Sequence, residues 1–304
     1  MNGRLGPALE WLYMEAAIAA GMAQSGAPPP EAVRAGVSKT LFIITVIIVA
    51  IIAFLGGIGV SSLLVPARAK LFVGTNAPFP PFESYNDTTG QFVGFDIDIA
   101  KLVADRLGRD LVVRNFNSFD LLLTTVGQGG VDMAVSAITM SGPKGAERNG
   151  TMDFSNPYYS ADQAVVMRAG TSFTCTNNVC TQADVLHHTI GVQSGTTSEG
   201  WVDTYITGNQ TERVFRYTDV VDEINALKSS IYTLMIIDTG PAKAIADGSA
   251  GSLVVAGKII TGELYGIAVA NGDPKALVPV INSVLADIIR DGRYDQLIAK
   301  WFAQ

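Results

Sequence analysis

The amino-acid sequence predicts an α/β protein built from two lobes, because strand and helix patterns alternate in two separate stretches. The first stretch covers residues 70–138 and the second covers residues 188–238. Such alternation is typical of a parallel sheet flanked by helices, whose ligand sites lie beyond the carboxyl ends of the strands. The length of 304 residues leaves room for two domains of ordinary size.

The charge balance excludes one class of function. The net charge is −7 and the isoelectric point is near 4.9, and no run of basic residues could displace counterions from phosphates. We therefore expect no nucleic-acid partner. Charged residues make up only 16% of the chain and hydrophobic residues 48%, and much of that hydrophobic excess lies in one N-terminal segment.

Residues 41–65 contain no charged side chain and predict one transmembrane helix. A helix of about 25 residues is about 38 Å long, compared with about 30 Å for the hydrocarbon core of a bilayer. A buried core helix and a cleaved signal peptide are the alternatives. Basic residues are slightly more numerous before this segment than after it. This places residues 1–40, a cytoplasmic or leader segment, on the inner side.

The first alternating unit starts at Lys70 with a short strand that enters a proline-rich loop. Phe79 in this loop is a candidate for a pocket wall, and the alternative is that it covers the core beneath the loop as Phe82 does. Apolar residues at helical spacing then predict a helix. The unit continues with the following elements: helix 95–108, strand 111–113, helix 119–126 and strand 131–138.

The end of strand 131–138 contains the residues that first indicate a ligand. Asn76, Ser136 to Thr139 and Arg148 all fall at or just after the carboxyl ends of predicted strands. An arginine guanidinium pairs bidentately with a carboxylate, while backbone carbonyls and a threonine hydroxyl accept hydrogen bonds from an ammonium. This stretch therefore predicts a site for a zwitterion, and a solvated arginine in a polar surface loop is the alternative.

The two cysteines of the chain, Cys175 and Cys180, are separated by four residues. We predict a disulfide-closed hairpin, and hence an oxidising compartment. A metal site is the weaker alternative, because the two histidines, His187 and His188, are adjacent and cannot easily complete a tetrahedral set. Three glycosylation sequons agree with an oxidising compartment, at Asn86, Asn149 and Asn209.

The second alternating unit follows a strand at residues 163–168. It contains strand 188–192, a helix from about residue 197, strand 214–217, helix 220–228 and strand 234–237. The turn before its first helix places hydroxyl and N–H groups at a helix N-terminus, where a carboxylate is favoured. Asp238 follows the last strand, so an ammonium between the lobes would pair with it; the alternative is that Asp238 caps the next helix. Residues 265–270 predict a strand and residues 274–302 two helices.

Several motifs, taken in order, resemble those of one protein family. They are GTNAPFPPFE, VGFDIDIAKLVADRLG, FDLLLTTVGQGGVDMAVSAITM, ER followed by MDFSNPYY, IGVQSGTTSE, DTGPA, YGIAVANGDP and DGRYDQLIAKWF. With these motifs, residues 70–302 resemble the extracellular solute-binding proteins of polar amino-acid ABC transporters, family 3 of the bacterial and archaeal binding proteins.

The resemblance implies the type II periplasmic-binding-protein fold, an α/β fold of two Rossmann-like lobes joined by a two-strand hinge. The two strands would cross near Val166 and near residues 257–260. Residues 70–166 and 259–304 would form the first lobe, and residues 167–258 the second.

The resemblance also implies the ligand-binding residues. Arg148 of the ER pair would hold the α-carboxylate of a free amino acid, together with Thr139 and the helix start at Thr196 and Thr197. The α-ammonium would be held by the carbonyl of Ala137, by Thr139 and by Asp238. The other expected residues are Ser136 in the same strand end and Asn76, Phe79 and Phe119 around the ligand side chain.

The chain departs from the family pattern in two places. GPKG is inserted before the ER pair, so that spacing from the N-terminal side would put Lys144 in the place of the arginine, whereas spacing from Asp153 favours Arg148. Asn76 stands where many members have aspartate, and a neutral amide weakens the case for a cationic ligand.

The function implied by the resemblance is that of an extracellular binding protein, and not of an enzyme. It would capture a free amino acid, polar or neutral, and deliver it to the membrane subunits of an ABC transporter, without a cofactor. Residues 41–65 would hold it in the cell membrane as a single-pass protein, with the lobes on the extracellular or periplasmic side. The alternatives are the ligand-binding part of a membrane sensor and an enzyme similar to cyclohexadienyl dehydratase.

Overall fold

The structure, a computed structural model, describes residues 40, 43–48, 67–206 and 211–303. The chain up to Pro66 and the chain from Ala67 onwards form two separate compact units. Residues 43–48 are helical with exposed side chains, but most of the predicted segment 41–65 lies outside the described residues, as do residues 1–39. Within the described part of the chain, no helix is both long enough and apolar enough to cross a membrane.

The unit that starts at Ala67 alternates strands with helices. Its strands are β1 (Lys70–Thr75), β2 (Ser84–Asn86), β3 (Gln91–Val93), β4 (Asp110–Asn115), β5 (Met133–Ala134), β6 (Met152–Phe154), β7 (Tyr159–Arg168), β8 (Ile190–Gln193), β9 (Val214–Tyr217), β10 (Leu234–Asp238), β11 (Leu253–Tyr265) and β12 (Ala268–Ala270). Its α-helices are α1 (Phe95–Leu107), α2 (Phe119–Gly127), α3 (Gly142–Arg148), α4 (Gln182–Val185), α5 (Thr197–Tyr205), α6 (Val220–Lys228), α7 (Thr239–Asp247), α8 (Leu277–Arg290) and α9 (Arg293–Phe302).

Two five-stranded sheets confirm the predicted two-lobed α/β fold. The first sheet has the strand order β4-β1-β5-β12-β6, and the second has the order β11-β7-β10-β8-β9. In each sheet the strands of the alternating unit run parallel, as predicted: β1 with β4 and β5, and β8 with β9 and β10. Strand β12 runs antiparallel to β5 and strand β7 runs antiparallel to β10. The outer strands β6 and β11 in turn run antiparallel to β12 and β7.

The pairing of β7 with β11 connects the two lobes. The two strands pair from Tyr159 and Tyr265 to Arg168 and Leu253, and β7 also pairs with β10. At one end of the pair, Ala161 and Tyr265 pack in the core of the first lobe, and further along, Val165 and Ile259 pack in a core of the second. The chain therefore passes between the lobes within these two strands, and the boundaries at residues 166 and 259 stay predictions.

Each sheet is covered by apolar side chains on both faces. In the first lobe, Phe95, Ile99 and Val103 of α1 pack with α8 against the first sheet, while Phe119 and Leu122 of α2 pack on the other face. The second sheet separates two further clusters, which are centred on Val192 and on Met235. Burial on both faces is what fixes the order and register of the central strands.

Gly94 lets the chain turn from the hairpin β2–β3 into α1. Its φ is 144°, and a Cβ atom placed on it would lie 2.0 Å from the carbonyl oxygen of Phe82. A side chain at this position would therefore collide with backbone that is already packed in the core. This close approach holds the proline-rich loop, which contains Phe79, against the start of α1.

Strand 131–138 is shorter than predicted, and the loop after it is a helix. Only Met133–Ala134 pair in the first sheet, and Ala137 has a φ of 47°. The backbone leaves the sheet because the N–H of Ala137 donates instead to the carboxylate of Asp96. Residues 142–148, expected to be a polar loop, form α3 with a proline in its first turn, where the missing N–H costs nothing.

The predicted disulfide between Cys175 and Cys180 is present. The hairpin it closes lies against β11, since the N–H of Cys180 donates to the carbonyl of Lys258 at 2.8 Å. Of the three sequons, Asn149 is exposed and Asn86 is half-buried, and Asn209 lies outside the described residues. Glycosylation of these sites stays a prediction.

Glu223 in α6 has a carboxyl group with one oxygen buried without a hydrogen-bond partner. It is 1% exposed, and its Oε1 has no partner among the described residues. Burial raises the pKa of Glu223 well above its ordinary value. The folded protein therefore keeps a proton on Glu223 at pH values where the unfolded chain has already released it.

We expect the free energy of unfolding to fall as the pH rises from about 5 to 8, and to fall less in Glu223→Gln. The variant cannot ionise, so it removes up to about 1.4 kcal/mol per pH unit of the dependence. Urea unfolding at several pH values measures this difference. The exposed Glu147→Gln is the control; pH profiles of equal slope for wild type and Glu223→Gln would contradict the assignment.

Candidate functional site

One cavity between the two lobes brings together every ligand-binding residue that the sequence predicts. The empty space among its lining residues is about 320 Å³ with its open side included. The predicted residues in its wall are Asn76, Phe79, Phe119, Ser136, Ala137, Thr139, Arg148, Thr196, Thr197 and Asp238, and two further residues, Glu83 and Gln193, also line it.

Arg148 at the end of α3 is buried and lies in the cavity wall. It is 5% exposed. Its Nη1 donates to the carbonyl of Thr139 at 2.7 Å, and its Nη2 donates to the carbonyl of Gly195 at 2.9 Å. Its guanidinium also lies 5.4 Å from the centre of the Phe119 ring. The two carbonyls belong to different lobes, so Arg148 bridges the cleft.

Lys144, the alternative cation, is not in the wall of this cavity. Its Nζ pairs with the carboxylate of Glu147 at 3.1 Å, and 31% of its side chain is exposed. The helical turn of α3 separates the two residues, so that Arg148 faces the cavity while Lys144 lies at the surface. The inserted GPKG therefore forms the first turn of α3 and leaves the cavity to the arginine.

Asp238 ends β10 and is 7% exposed. It holds the N-cap position of α7 but makes no side-chain capping hydrogen bond, so the capping alternative is wrong. Its Oδ1 accepts hydrogen bonds from the Tyr265 hydroxyl at 2.6 Å and from Nε2 of Gln163 at 3.0 Å. Burial first, and then the charge of Glu263, raise the pKa of Asp238 to about 7.

Thr196 and Thr197, at the start of α5, line the cavity. The hydroxyl of Thr196 caps α5 by accepting from the N–H of Glu199 at 3.2 Å. Thr197, the first helical residue, donates from its hydroxyl to Oε2 of Glu263 at 2.7 Å. The N-terminus of a helix has a partial positive charge, which favours an anionic group of a ligand at this end of the cavity.

The opposite part of the wall contains polar and aromatic side chains. Nε2 of Gln193, from the second lobe, donates to Oδ1 of Asn76 in the first lobe at 2.9 Å. Phe79 is half-buried and Phe119 is 7% exposed, so both rings combine packing in a core with a place in the wall. Phe82 is completely buried, as predicted.

Glu263 joins the two lobes behind the cavity. One of its oxygens, Oε2, accepts from the Thr139 hydroxyl at 2.6 Å and from the Thr197 hydroxyl. The other, Oε1, accepts from Gln163 Nε2 at 2.8 Å and from the Thr261 hydroxyl at 3.0 Å. Because Thr139 and Thr197 come from different lobes, a single carboxylate connects them.

Gly195 lies where the two lobes are close together. A Cβ atom at Gly195 would lie 2.0 Å from Oδ1 of Asp120 in α2, and its φ is 79°. Any side chain at this position would collide with Asp120 as well as strain the backbone. Glycine here thus allows the carbonyl of Gly195 to reach the guanidinium of Arg148.

Acidic groups outnumber basic groups around the cavity. Burial lowers the pKa of Arg148 to about 10, although the charges of Glu263 and Asp238 oppose this shift. Arg148 therefore stays positively charged at neutral pH. The acidic groups whose charges act on Arg148 are Glu263, Asp238, Glu147 and Asp120. Glu83 also lines the cavity, and burial and the charge of Asp96 raise its pKa well above the ordinary value.

Sequence reasoning missed Glu83, Gln193 and Glu263. Glu83 and Gln193 belong to motifs that were recognised: Glu83 is the last residue of GTNAPFPPFE, and Gln193 is the fourth residue of IGVQSGTTSE. Both motifs follow or end a predicted strand, and this was the signal that could have identified the two residues. Glu263 had no such signal, because its role depends on residues more than 60 positions away in the chain.

Comparison with known proteins identifies one matching family. The model of the bacterial extracellular solute-binding proteins, family 3, matches residues 71–304. A probable histidine-binding protein of Neisseria gonorrhoeae is 29% identical over 234 residues, which is 76% of this chain and 82% of that protein. An arginine-binding extracellular protein of Bacillus subtilis is 29% identical over 240 residues, or 77% of this chain and 87% of that one.

Solved structures give the same result for the fold. An ancestral arginine-binding protein bound to glutamine has a TM-score of 0.68 and 32% identity, and the match covers 78% of this chain and 99% of that one. Holo ArgBP of T. maritima has a TM-score of 0.64 and 33% identity, with 77% and 96% covered. The fold is thus the α/β type II periplasmic-binding-protein fold that was expected.

We expect Glu263→Ala to weaken the closed arrangement of the lobes. The substitution removes the one carboxylate that accepts from Thr139 and Thr197, and it leaves those buried hydroxyls without their acceptor. Small-angle scattering without ligand should report a larger radius of gyration than for wild type. Glu147→Ala, which removes an exposed carboxylate nearby, is the control; an unchanged radius for Glu263→Ala would contradict the connecting role.

Proposed function

Because the chain belongs to the bacterial extracellular solute-binding proteins of family 3, we propose that it captures a free amino acid between its lobes and delivers it to the membrane subunits of an ABC transporter. One observation carries the proposal: a buried guanidinium from the first lobe, Arg148, and a buried carboxylate from the second, Asp238, line the same cavity. A zwitterion has the complementary pair of charges. The family consists of solute-binding proteins, so we do not propose an enzyme.

In this proposal the two ends of the amino acid are held by different lobes. The α-carboxylate lies against Arg148 and the helix start at Thr196 and Thr197, and the α-ammonium lies against Asp238 and the carbonyl of Ala137. The ligand then binds the closed form more tightly than the open form, so it shifts the population towards closure. The closed form is the one that the transporter subunits would recognise.

The ligand side chain is proposed to be polar. Three polar groups, Asn76, Glu83 and Gln193, share its part of the cavity with the rings of Phe79 and Phe119. Relatives of this chain are named for histidine, cystine, arginine and glutamine, which supports a polar amino acid. A thermal-shift screen of the twenty amino acids identifies the ligand, since saturation at about 100 times the dissociation constant stabilises by about 2.7 kcal/mol.

We expect Arg148→Ala and Asp238→Asn each to reduce affinity for that amino acid by at least about tenfold. Each removes a charge-assisted hydrogen bond of roughly 1.5 to 3 kcal/mol. Calorimetric titration measures the loss, and circular dichroism checks that the variants are folded. Lys144→Ala is the matched control and should bind as wild type does. Unchanged affinity in both site variants, or a loss in the control alone, would refute the arrangement.

We also propose that residues 41–65 anchor the protein in the cell membrane, with the lobes outside. The support is the charge-free composition of this segment and its length. The full chain should be recovered with membranes after fractionation and resist alkaline extraction. A chain that begins at Ala67, where the compact unit starts, should be recovered in the soluble fraction. Recovery of both in the same fraction would count against an anchor.

A further inference from the structure

Two acidic side chains lie together beneath the cavity without enough donors to satisfy them. Glu83 and Asp96 are both 0% exposed. Oε1 of Glu83 accepts from the Ser136 hydroxyl, and Oδ2 of Asp96 accepts from the N–H of Ala137 at 2.8 Å and from the Tyr158 hydroxyl at 2.9 Å. The second oxygen of each group, Oε2 of Glu83 and Oδ1 of Asp96, has no donor among the described residues.

A proton held between the two groups accounts for both unpaired oxygens. Two buried carboxylates side by side repel each other strongly when both are ionised. Burial and the charge of Asp96 raise the pKa of Glu83, while a hydrogen bond from Glu83 acts to lower the pKa of Asp96. The two carboxyl groups therefore share the proton as a pair.

The position of Glu83 connects this pair to the ligand. Glu83 lines the cavity, whereas Asp96 lies behind it in the first turn of α1. The charged groups that act on Glu83 are Asp96 and, from the second lobe, Asp238, and Tyr158 of the strand-linking segment faces Asp96. All of these are acidic groups, whereas Arg148, which lines the same cavity, is the charge that opposes a cation. A cationic side chain beside Glu83 would thus be favoured by the acidic groups, and the α-carboxylate of the ligand would pair with Arg148.

We infer that Glu83 and Asp96 share a proton when no ligand is bound and release it to solvent when a cationic amino-acid side chain enters the cavity. The ligand keeps its own protons, and its positive charge replaces the charge of the released one. The pair then selects cationic over neutral amino acids. This inference rests on the proposed function and adds to it both a ligand class and a dependence on pH.

The sign of the pH dependence follows from the release of a proton. Since binding of a cationic ligand expels a proton, raising the pH favours binding, by at most about tenfold per pH unit for one proton. The pKa of Asp238 also lies near neutral pH, at about 7, but in the proposed arrangement Asp238 faces the α-ammonium, which every amino acid carries. The contribution of the pair to the pH dependence is therefore the difference in binding between a cationic ligand and a neutral ligand of the same shape.

L-Arginine and L-citrulline provide that comparison, because they differ mainly in the charge of the side-chain end. Both are titrated calorimetrically into the full chain between pH 5.5 and 8, in buffers of different ionisation enthalpy. We expect arginine to bind more tightly, to release more protons than citrulline and to gain affinity more steeply with pH. L-Lysine serves as a second cationic probe.

Glu83→Gln tests the pair directly, since glutamine keeps the size of the side chain but cannot share the proton. The excess proton release should disappear and the affinity for arginine should fall towards that for citrulline. Glu223→Gln removes a buried carboxyl outside the cavity and should change neither quantity.

Equal proton release for arginine and citrulline in the wild-type protein overturns the inference, and this result does not depend on whether Glu83→Gln folds. Two other results also overturn the inference. One is binding of a neutral amino acid without binding of arginine or lysine, and the other is a preference for arginine that persists in folded Glu83→Gln. These three outcomes leave the proposed function intact. If the wild-type protein binds none of the twenty amino acids, the proposed function itself is wrong.

Discussion

The structure depends on one charge that is buried between the two lobes, the guanidinium of Arg148. A buried charge is costly unless the protein replaces the hydrogen bonds and the charges that water supplied. Here one carbonyl from each lobe accepts from it, and Glu263 and Asp238 supply opposite charge. Since the carbonyl of Gly195 belongs to the second lobe, Arg148 is fully compensated only when the lobes are together. The cost of burying the charge and the position of the lobes are therefore linked.

Much of the fold and most of the cavity wall could be predicted from local sequence patterns. Helix α6 begins and ends at the predicted residues, Val220 and Lys228, because its capping Asp219 and its apolar spacing are both local signals. The predicted binding residues surround one cavity for a similar reason, except Phe119, which only the family resemblance implied. Strand ends and helix starts are readable in the sequence, and the parallel topology brings them to the same edge.

The features that could not be predicted depend on contacts between distant parts of the chain. Strand β5 stops early because the N–H of Ala137 bonds to Asp96, which is 41 residues away. Glu263 reaches Thr139 across 124 residues, and no local pattern announces that pairing. The pairing of β7 with β11 and β10 is likewise a contact between distant parts of the chain, and only this pairing shows which sheet these strands join.

The pairing of β7 with β11 also determines how this molecule can move. Both connections between the lobes run through two adjacent strands that are hydrogen-bonded to each other, so the chain joins the lobes along one edge. A change in the relative position of the lobes must then be absorbed by the residues in and next to these strands. A substitution in the few linking residues can therefore change how often the protein visits its shut form, and so its apparent affinity, while every contact with the ligand stays the same.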